Sequence, residues 1–366
     1  MSIAYTNARI YTGQSVETGK AVLVNDGIIE DLVPDQAIPA HYSIKDLQGQ
    51  QLAPAFMDLQ IYGGNGKLFS QEITFEAIKA TYEYCLSGGC SHFMLTMATN
   101  TIDKFLKGME VAWAYQQQGG KGLLGVHLEG PYMNPKKRGA HLLECIKVPT
   151  VEEVQLLIDR GNGIFKMITL APEQCDPAVI QMLIDNGIIV SAGHSNATYQ
   201  QASAGFAQGI PAATHLFNAM SPFQHREPGM VGAVFNHPKA MSSIVCDGIH
   251  VDYAAVKIAH TIMQERLFFI TDAVAETRSG EYQHIFKGDH YALPDGTLSG
   301  SALSMIQCVK NGVEHVGIPL DTALRMGSTF PARLLDGKKM GLIAKGYQAN
   351  MVVFNEVLEV QNVITH

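Results

Sequence analysis

Between Ala53 and residue 337 the chain repeats one pattern. A short, nearly continuous apolar run is followed by polar punctuation, then by a stretch whose apolar residues recur at helical spacing. The apolar runs are APAFMDLQIYG, CSHFMLTMAT, GLLGVHLEG, FKMITLAPE, GIIVSAGHS, IPAATHLFN, SSIVCDGIH and RLFFITDAV. Helical stretches such as TFEAIKATYEYCLSGG, TVEEVQLLIDRG and DYAAVKIAHTIMQE lie between them. Strands apolar at successive positions are buried on both faces, which is the signature of a parallel sheet. Eight strand–helix units over residues 53–337 predict an α/β fold, a (β/α)8 TIM barrel. A doubly wound open sheet is the alternative, but it would more naturally carry a Gly-rich nucleotide turn, and none appears.

The two ends read differently. IAYTNARIYTG, KAVLVNDGIIEDLV and YSIKDLQGQQLAP are short strand-like pieces with NDG as a hairpin signal. GLIAKGYQANMVVFNEVLEVQNVITH, from Gly341, has the same character. These ends predict one small composite β-sandwich domain, residues 1–52 plus 338–366, beside a barrel over residues 53–337.

Composition narrows the partners. With 46% hydrophobic and 16% charged residues the chain has ample core for a globular protein. Net charge is −8 and no basic run exceeds Lys136-Lys137-Arg138, which argues against nucleic acid and leaves room for a small phosphorylated substrate. The six cysteines form no CxxC pair or framework spacing, so reduced thiols in a cytoplasmic protein are expected. The N-terminal MSIAYTNARIYTG lacks a basic segment followed by an apolar core, and no apolar run approaches the ~18 residues of a membrane span. The reading is a soluble protein with no membrane partner.

The stretch GVHLEGPYMN ends an apolar strand in a carboxylate, and a buried Glu requires a cation or a hydrogen-bond network. Gln60, Thr96, Glu129, Glu173, His194, His215, Asp247 with His250, and Asp272 all fall at C-terminal strand ends, where barrel active sites form. Glu129, His194 and His215 close the third, fifth and sixth strands. One carboxylate and two imidazoles make an open divalent-cation site with a position left for water. His127 shares a face with Glu129 and is either a further ligand or a barrel-interior hydrogen-bonding group. Asp272 comes after the four apolar residues Leu267–Ile270 and Thr271, in LFFITDAV, a placement that suits a general base and then acid beside that centre.

PAFMDLQ, HLEGPYMN, TLAPE, AGHSNATY, ATHLFNAM, REPGMVGAV, DGIHVD, TDA, LSGSALSM and the late PAR resemble, in order and spacing, the N-acetylglucosamine-6-phosphate deacetylases of the amidohydrolase superfamily. GLIAKGYQANMVVF resembles that family's C-terminal β segment. The resemblance implies a metal-dependent amidohydrolase barrel that releases acetate from an N-acetylated amino-sugar phosphate. It implies Glu129, His194 and His215 as metal ligands, Asp272 as base then acid, and His250 with Asp247 at the substrate. It further implies substrate contacts from Ala140 with His141, Asn218 with Ala219, and the turn Ala302, Leu303 and Ser304. Arg226 in HREPG would grip the phosphate, and in the family it reaches across a homodimer interface.

One departure stands out. Many amidohydrolases end strand one in His-x-His, which holds a second metal. Here the segment is Gln60-Ile61-Tyr62. One divalent ion per chain is therefore expected, Zn²⁺ first and Fe²⁺ or another divalent ion as the alternative, with Gln60 and Tyr62 as pocket residues. The alternatives in function are an N-acetylgalactosamine-6-phosphate deacetylase, a cyclic-amide amidohydrolase, or a non-catalytic scaffold of this fold.

Overall fold

The computed structural model describes residues 1–335 and 338–365. Positions 336–337, at the expected boundary between barrel and C-terminal segment, and position 366 lie outside the described residues. All eight apolar runs form strands of one sheet: β1 Phe56–Ile61, β2 Cys90–Ala98, β3 Leu123–Glu129, β4 Phe165–Leu170, β5 Ile189–Ala192, β6 Ala212–Ala213, β7 Met241–Ile244 and β8 Leu267–Phe269. Neighbours follow chain order, and the pairings from β2 to β8 are parallel. The ring closes at its C-terminal mouth. There Asp272 N–H donates to the Gln60 carbonyl at 3.0 Å, and Tyr62 N–H donates to the Ala273 carbonyl at 2.9 Å. The expected TIM barrel is the observed architecture.

The helices follow their sequence signals. Val151–Arg160 begins at Thr150, whose hydroxyl accepts from Glu153 N–H, and Tyr253–Met263 begins at Asp252, which accepts from Ala254 N–H. Each such cap satisfies an otherwise orphaned donor and contributes about 1 kcal/mol.

The barrel interior is more polar than its apolar runs suggest. His127 Nδ1–H donates to the Leu59 carbonyl at 3.1 Å, and Thr169 Oγ1–H donates to His127 Nε2 at 2.8 Å. Thr214 and Ser191 extend the chain through hydroxyl contacts of 2.7 and 2.6 Å. Both ring nitrogens of His127 are thus engaged below the mouth, and burial pushes its pKa down to about 4, so the ring is neutral. A fully satisfied network of this kind fixes side-chain orientation under whatever sits above it.

The chain divides into two compact units. One holds residues 59–84 and 93–303, with the upper barrel and every side chain that lines the cleft. The other holds residues 1–58 and 85–92 and the chain from Ser304 onward. In this second unit, a four-stranded sheet is built from N-terminal strands, and a five-stranded sheet joins both ends of the chain. The join is Met351–Phe354, which runs antiparallel to Gln51–Pro54. Ile10, Val22, Val24, Ile29, Leu52, Met351 and Val353 form its apolar core. The unit also takes in the helices Met305–Asn311 and Leu320–Gly327, which the sequence reading assigned to the barrel.

Candidate active site

Glu129 is the last ladder residue of β3, and Gly130 directs the chain away from it. Gly130 has φ of 96°, and a Cβ there would lie 2.1 Å from Thr99 Oγ1. That hydroxyl donates to the Glu129 carbonyl at 3.0 Å, so glycine lets the strand end close against β2. His194 and His215 each sit two residues beyond their strands, β5 and β6, and Asp272 sits three beyond β8. All three adopt left-handed backbone conformations, with φ of 47°, 36° and 56°.

The three side chains converge on one point. Glu129 Oε1 lies 3.0 Å from His215 Nε2 and 3.3 Å from His194 Nε2, and the two Nε2 atoms are 3.1 Å apart. His194 Nδ1–H donates to the Lys137 carbonyl at 2.8 Å, which leaves the Nε2 lone pair facing inward. Burial, and then His141, push His194 down to about 4, so it is the neutral, ligand-competent form at pH 7. His215 Nδ1 is buried without a hydrogen-bond partner. Tetrahedral ligands at about 2.1 Å from a zinc-like ion are separated by about 3.4 Å. The Glu129–His194–His215 triangle fits such an ion.

Glu129, His141 and His194 also lie within 4.8 Å of one another. The hydrogen bonds distinguish His141 from the other two histidines. Thr99 N–H donates to His141 Nδ1 at 3.1 Å, so the proton of the neutral ring sits on Nε2 and points at Glu129 Oε2, 3.2 Å away. His141 offers a proton to the carboxylate where His194 offers a lone pair. Burial alone would raise the Glu129 pKa, but His141, His194 and His215 hold it well below the usual carboxylate range.

Asp272 faces this centre. Gln60 Nε2 lies 2.8 Å from Asp272 Oδ1 and 2.9 Å from Glu129 Oε1, bridging the two carboxylates. Desolvation, reinforced by the Glu129 charge and only partly opposed by His215, raises the Asp272 pKa. A carboxyl moved toward neutrality is suited to taking up and returning a proton. His250 enters from the loop after β7, its Nδ1 2.5 Å from Asp247 Oδ2. Asp247 also accepts the backbone N–H groups of Ile249 and His250.

Tyr62, Glu129, Ala140, His141, His194, His215, Asn218, Ala219, His250 and Asp272 line one cleft of about 780 Å³, open to solvent. Other expected residues stand apart from its wall, Gln60 and Asp247 among them. Ala302 and Leu303 follow the Leu298–Gly300 wall, and their carbonyls accept from Tyr84 Oη–H at 3.2 and 2.9 Å. Ser304 occupies the N-cap position of the helix Met305–Asn311 without a side-chain hydrogen bond to it. Arg226 is exposed and does not line the cleft, and Glu227 beside it accepts from Tyr199 N–H and Gly229 N–H instead. Glu173 ties three loops together: Oε1 accepts from Asn134 Nδ2 and Asn196 N–H, and Oε2 from Ser195 Oγ.

Sequence reasoning missed one wall of the cleft. After β8 the chain forms a three-stranded antiparallel sheet, Ile285–Phe286, His290–Ala292 and Leu298–Ser301. It brings Tyr282, His284 and Ser299 to the pocket. Tyr282 Oη–H donates to the Thr99 carbonyl at 2.7 Å, and His284 Nδ1 lies 2.9 Å from Ser299 Oγ. The signal available was the aromatic and histidine content of EYQHIF directly after TDAVAETRSG.

The Amidohydrolase family pattern matches residues 52–365, and the NagA composite domain matches residues 3–52. The chain belongs to the amidohydrolase family. Its members are metal-dependent hydrolases of carbon–nitrogen bonds, in keeping with the Glu129 centre. The chain is 36% identical, over 97% of its own length and 95% of the relative's, to the N-acetylglucosamine-6-phosphate deacetylase of Haemophilus influenzae. It is 32% identical to the N-acetylgalactosamine-6-phosphate deacetylase of a Shewanella species, over 94% of this chain and 90% of the relative. The crystal structure of the N-acetylglucosamine-6-phosphate deacetylase from Pasteurella multocida superposes with a TM-score of 0.95 at 34% identity, covering 100% of this chain and 98% of that one. The resemblance carried by HLEGP, GHSNAT and THLFNAM is borne out.

Proposed function

We propose that this amidohydrolase cleaves the acetamide of N-acetyl-D-glucosamine 6-phosphate, giving D-glucosamine 6-phosphate and acetate, with one divalent cation, Zn²⁺ by preference, held by Glu129, His194 and His215. The observation that carries this reading is the 3.0–3.3 Å triangle of those three donors facing Asp272 in one cleft. A cation bound there supplies Lewis acidity toward a carbonyl oxygen and a water.

The remaining work falls to the chain's own side chains. Asp272 takes a proton from the attacking water and later delivers it to the departing amine nitrogen, so that the C–N bond breaks without expelling an amide anion. Asp247 holds Nδ1 of His250 and leaves Nε2 for the substrate, where it can meet the carbonyl oxygen or a sugar hydroxyl. Ala140, His141, Asn218 and Ala219 flank the sugar.

No Lys or Arg is found among the described residues lining the cleft. A phosphate dianion calls for a cation, and Arg226 is exposed with no ion pair among the described residues. This supports a homodimer in which Arg226 of each chain reaches the other's cleft, a reciprocal arrangement natural to two-fold symmetry. No described helix is long and apolar enough to cross a membrane, and we read the enzyme as cytoplasmic.

The test is acetate release from the 6-phosphates of N-acetylglucosamine and N-acetylgalactosamine, alongside metal analysis of the protein. The Shewanella relative makes the galacto epimer the second reading. Faster turnover of that epimer would replace the first. His194→Ala should lose metal and activity together. Full metal retention in that variant would reject the ligand set.

A further inference from the structure

Strand one ends in an amide and a phenol, and both are drawn into the carboxylates of the site. Tyr62 Oη–H donates to Glu129 Oε2 and accepts from Gln60 Nε2 at 2.9 Å. Gln60 Nε2 also reaches Glu129 Oε1 and Asp272 Oδ1. Ionised carboxylates only accept, so the group that Gln60 turns toward them must be its NH₂. His141 Nε2–H adds a second donor to Glu129 Oε2 at 3.2 Å.

Two different environments therefore surround one carboxylate. Oε1 faces His194 Nε2 and His215 Nε2 beside the Gln60 amide, whereas Oε2 is occupied by the Tyr62 hydroxyl and His141 imidazole protons. A second cation bridged by Glu129 would need Oε2 and lone-pair donors from strand one. The protein places protons there instead. Tyr62 is fixed in that role from both sides. Its backbone N–H donates to Ala273 and its carbonyl accepts from Phe69 N–H. The ring packs in a buried cluster with Leu68, Ala98, Val274 and Tyr282.

We propose that Tyr62 is a positioning residue, its phenol held by Gln60, whose hydroxyl proton takes the place of a second cation at Glu129 Oε2, restricting Glu129 to coordination through Oε1 and the centre to one ion. The inference rests on the single-cation reading above.

The experiment titrates metal-free, full-length protein with Zn²⁺ against a competing chelator, for wild type, Tyr62→Phe and Gln60→Met, and records Co²⁺ absorption spectra of each. Wild type should take one equivalent even with excess zinc. Tyr62→Phe keeps the ring but loses the donor, and should bind that equivalent ~10–100-fold more weakly, with an altered cobalt spectrum as Glu129 changes its mode of coordination. If Tyr62→Phe does not fold, Gln60→Met carries the same expectation, because it removes the bridging N–H without disturbing the ring. A folded variant with wild-type zinc affinity and an unchanged cobalt spectrum overturns the role. Two equivalents in wild type also overturn it, while leaving the ligand triangle intact. No stoichiometric zinc in wild type would instead reject the single-cation reading.

Discussion

Asp247 Oδ2 and His250 Nδ1 lie 2.5 Å apart, and both side chains are nearly inaccessible to solvent. Burial would raise the Asp247 pKa, but hydrogen bonds from His250 and from two backbone N–H groups hold it below the ordinary value. An acceptor fixed in this way determines both the tautomer and the ring plane of the imidazole.

Asp247→Asn should therefore leave metal content unchanged while lowering kcat, because an amide N–H aimed at Nδ1 favours the opposite tautomer. A fall of ~10²–10⁴-fold is expected by analogy with carboxylate–histidine pairs elsewhere. Steady-state kinetics with metal analysis checks this. A kcat within a few-fold of wild type would show that the tautomer is immaterial.

Asp272→Asn should retain metal and substrate binding and lose ~10²–10⁴-fold in turnover, the usual cost of removing a general acid–base. Gln60, which now donates to Asp272 Oδ1, can rotate to suit the amide, so the fold should survive. Equilibrium binding of the substrate to the inactive variant separates loss of chemistry from loss of binding.

Arg226→Ala should raise KM for the 6-phosphate and barely affect unphosphorylated N-acetylglucosamine. A charged hydrogen bond lost from the phosphate is worth roughly 1.5–3 kcal/mol. Mixing Arg226→Ala chains with Asp272→Asn chains should regenerate some competent sites. An absence of recovery after demonstrated subunit exchange would return Arg226 to its own chain's surface.

Acid stability offers a check outside the active site. Burial, and then Lys338, push His92 down to about 4, whereas an unfolded histidine titrates near 6.5. Between roughly pH 6.5 and about 4 the unfolded chain binds the extra proton, so this contribution, full above that window, is lost as pH falls through it. His92→Gln should flatten the pH dependence of unfolding free energy in that window by up to about 3 kcal/mol. Denaturant titrations at several pH values measure it. An unchanged slope would mean that His92 is protonated in the folded protein.

The parts of this architecture legible in sequence were those that obey one local rule. Phe93–Met97 and Val126–Leu128 could only be buried strands, and Glu129 at the end of such a run had to be compensated. β6 shows the limit, since two residues, Ala212–Ala213, make up the whole strand and only its place in the repeat revealed it. The wall of Tyr282, His284 and Ser299 was not legible because it comes from antiparallel hairpins inserted after the last barrel strand, whose strands of 2, 3 and 4 residues are too short to show a periodic signature. The tautomer of His141 was also out of reach, because it depends on the Thr99 N–H far along the chain. Nor could spacing assign the C-terminal helices to the compact unit that holds both ends of the chain.

His194, His215 and Asp272 share left-handed backbone angles that ordinary side chains avoid, each costing on the order of 1–3 kcal/mol. Glycine at any of the three would relax the chain. The two imidazoles cannot be discarded singly at a gain, because each also compensates the buried Glu129 carboxylate. Chains freed from the demand for turnover should therefore change at these positions together with Glu129, exchanging a strained polar mouth for an apolar one.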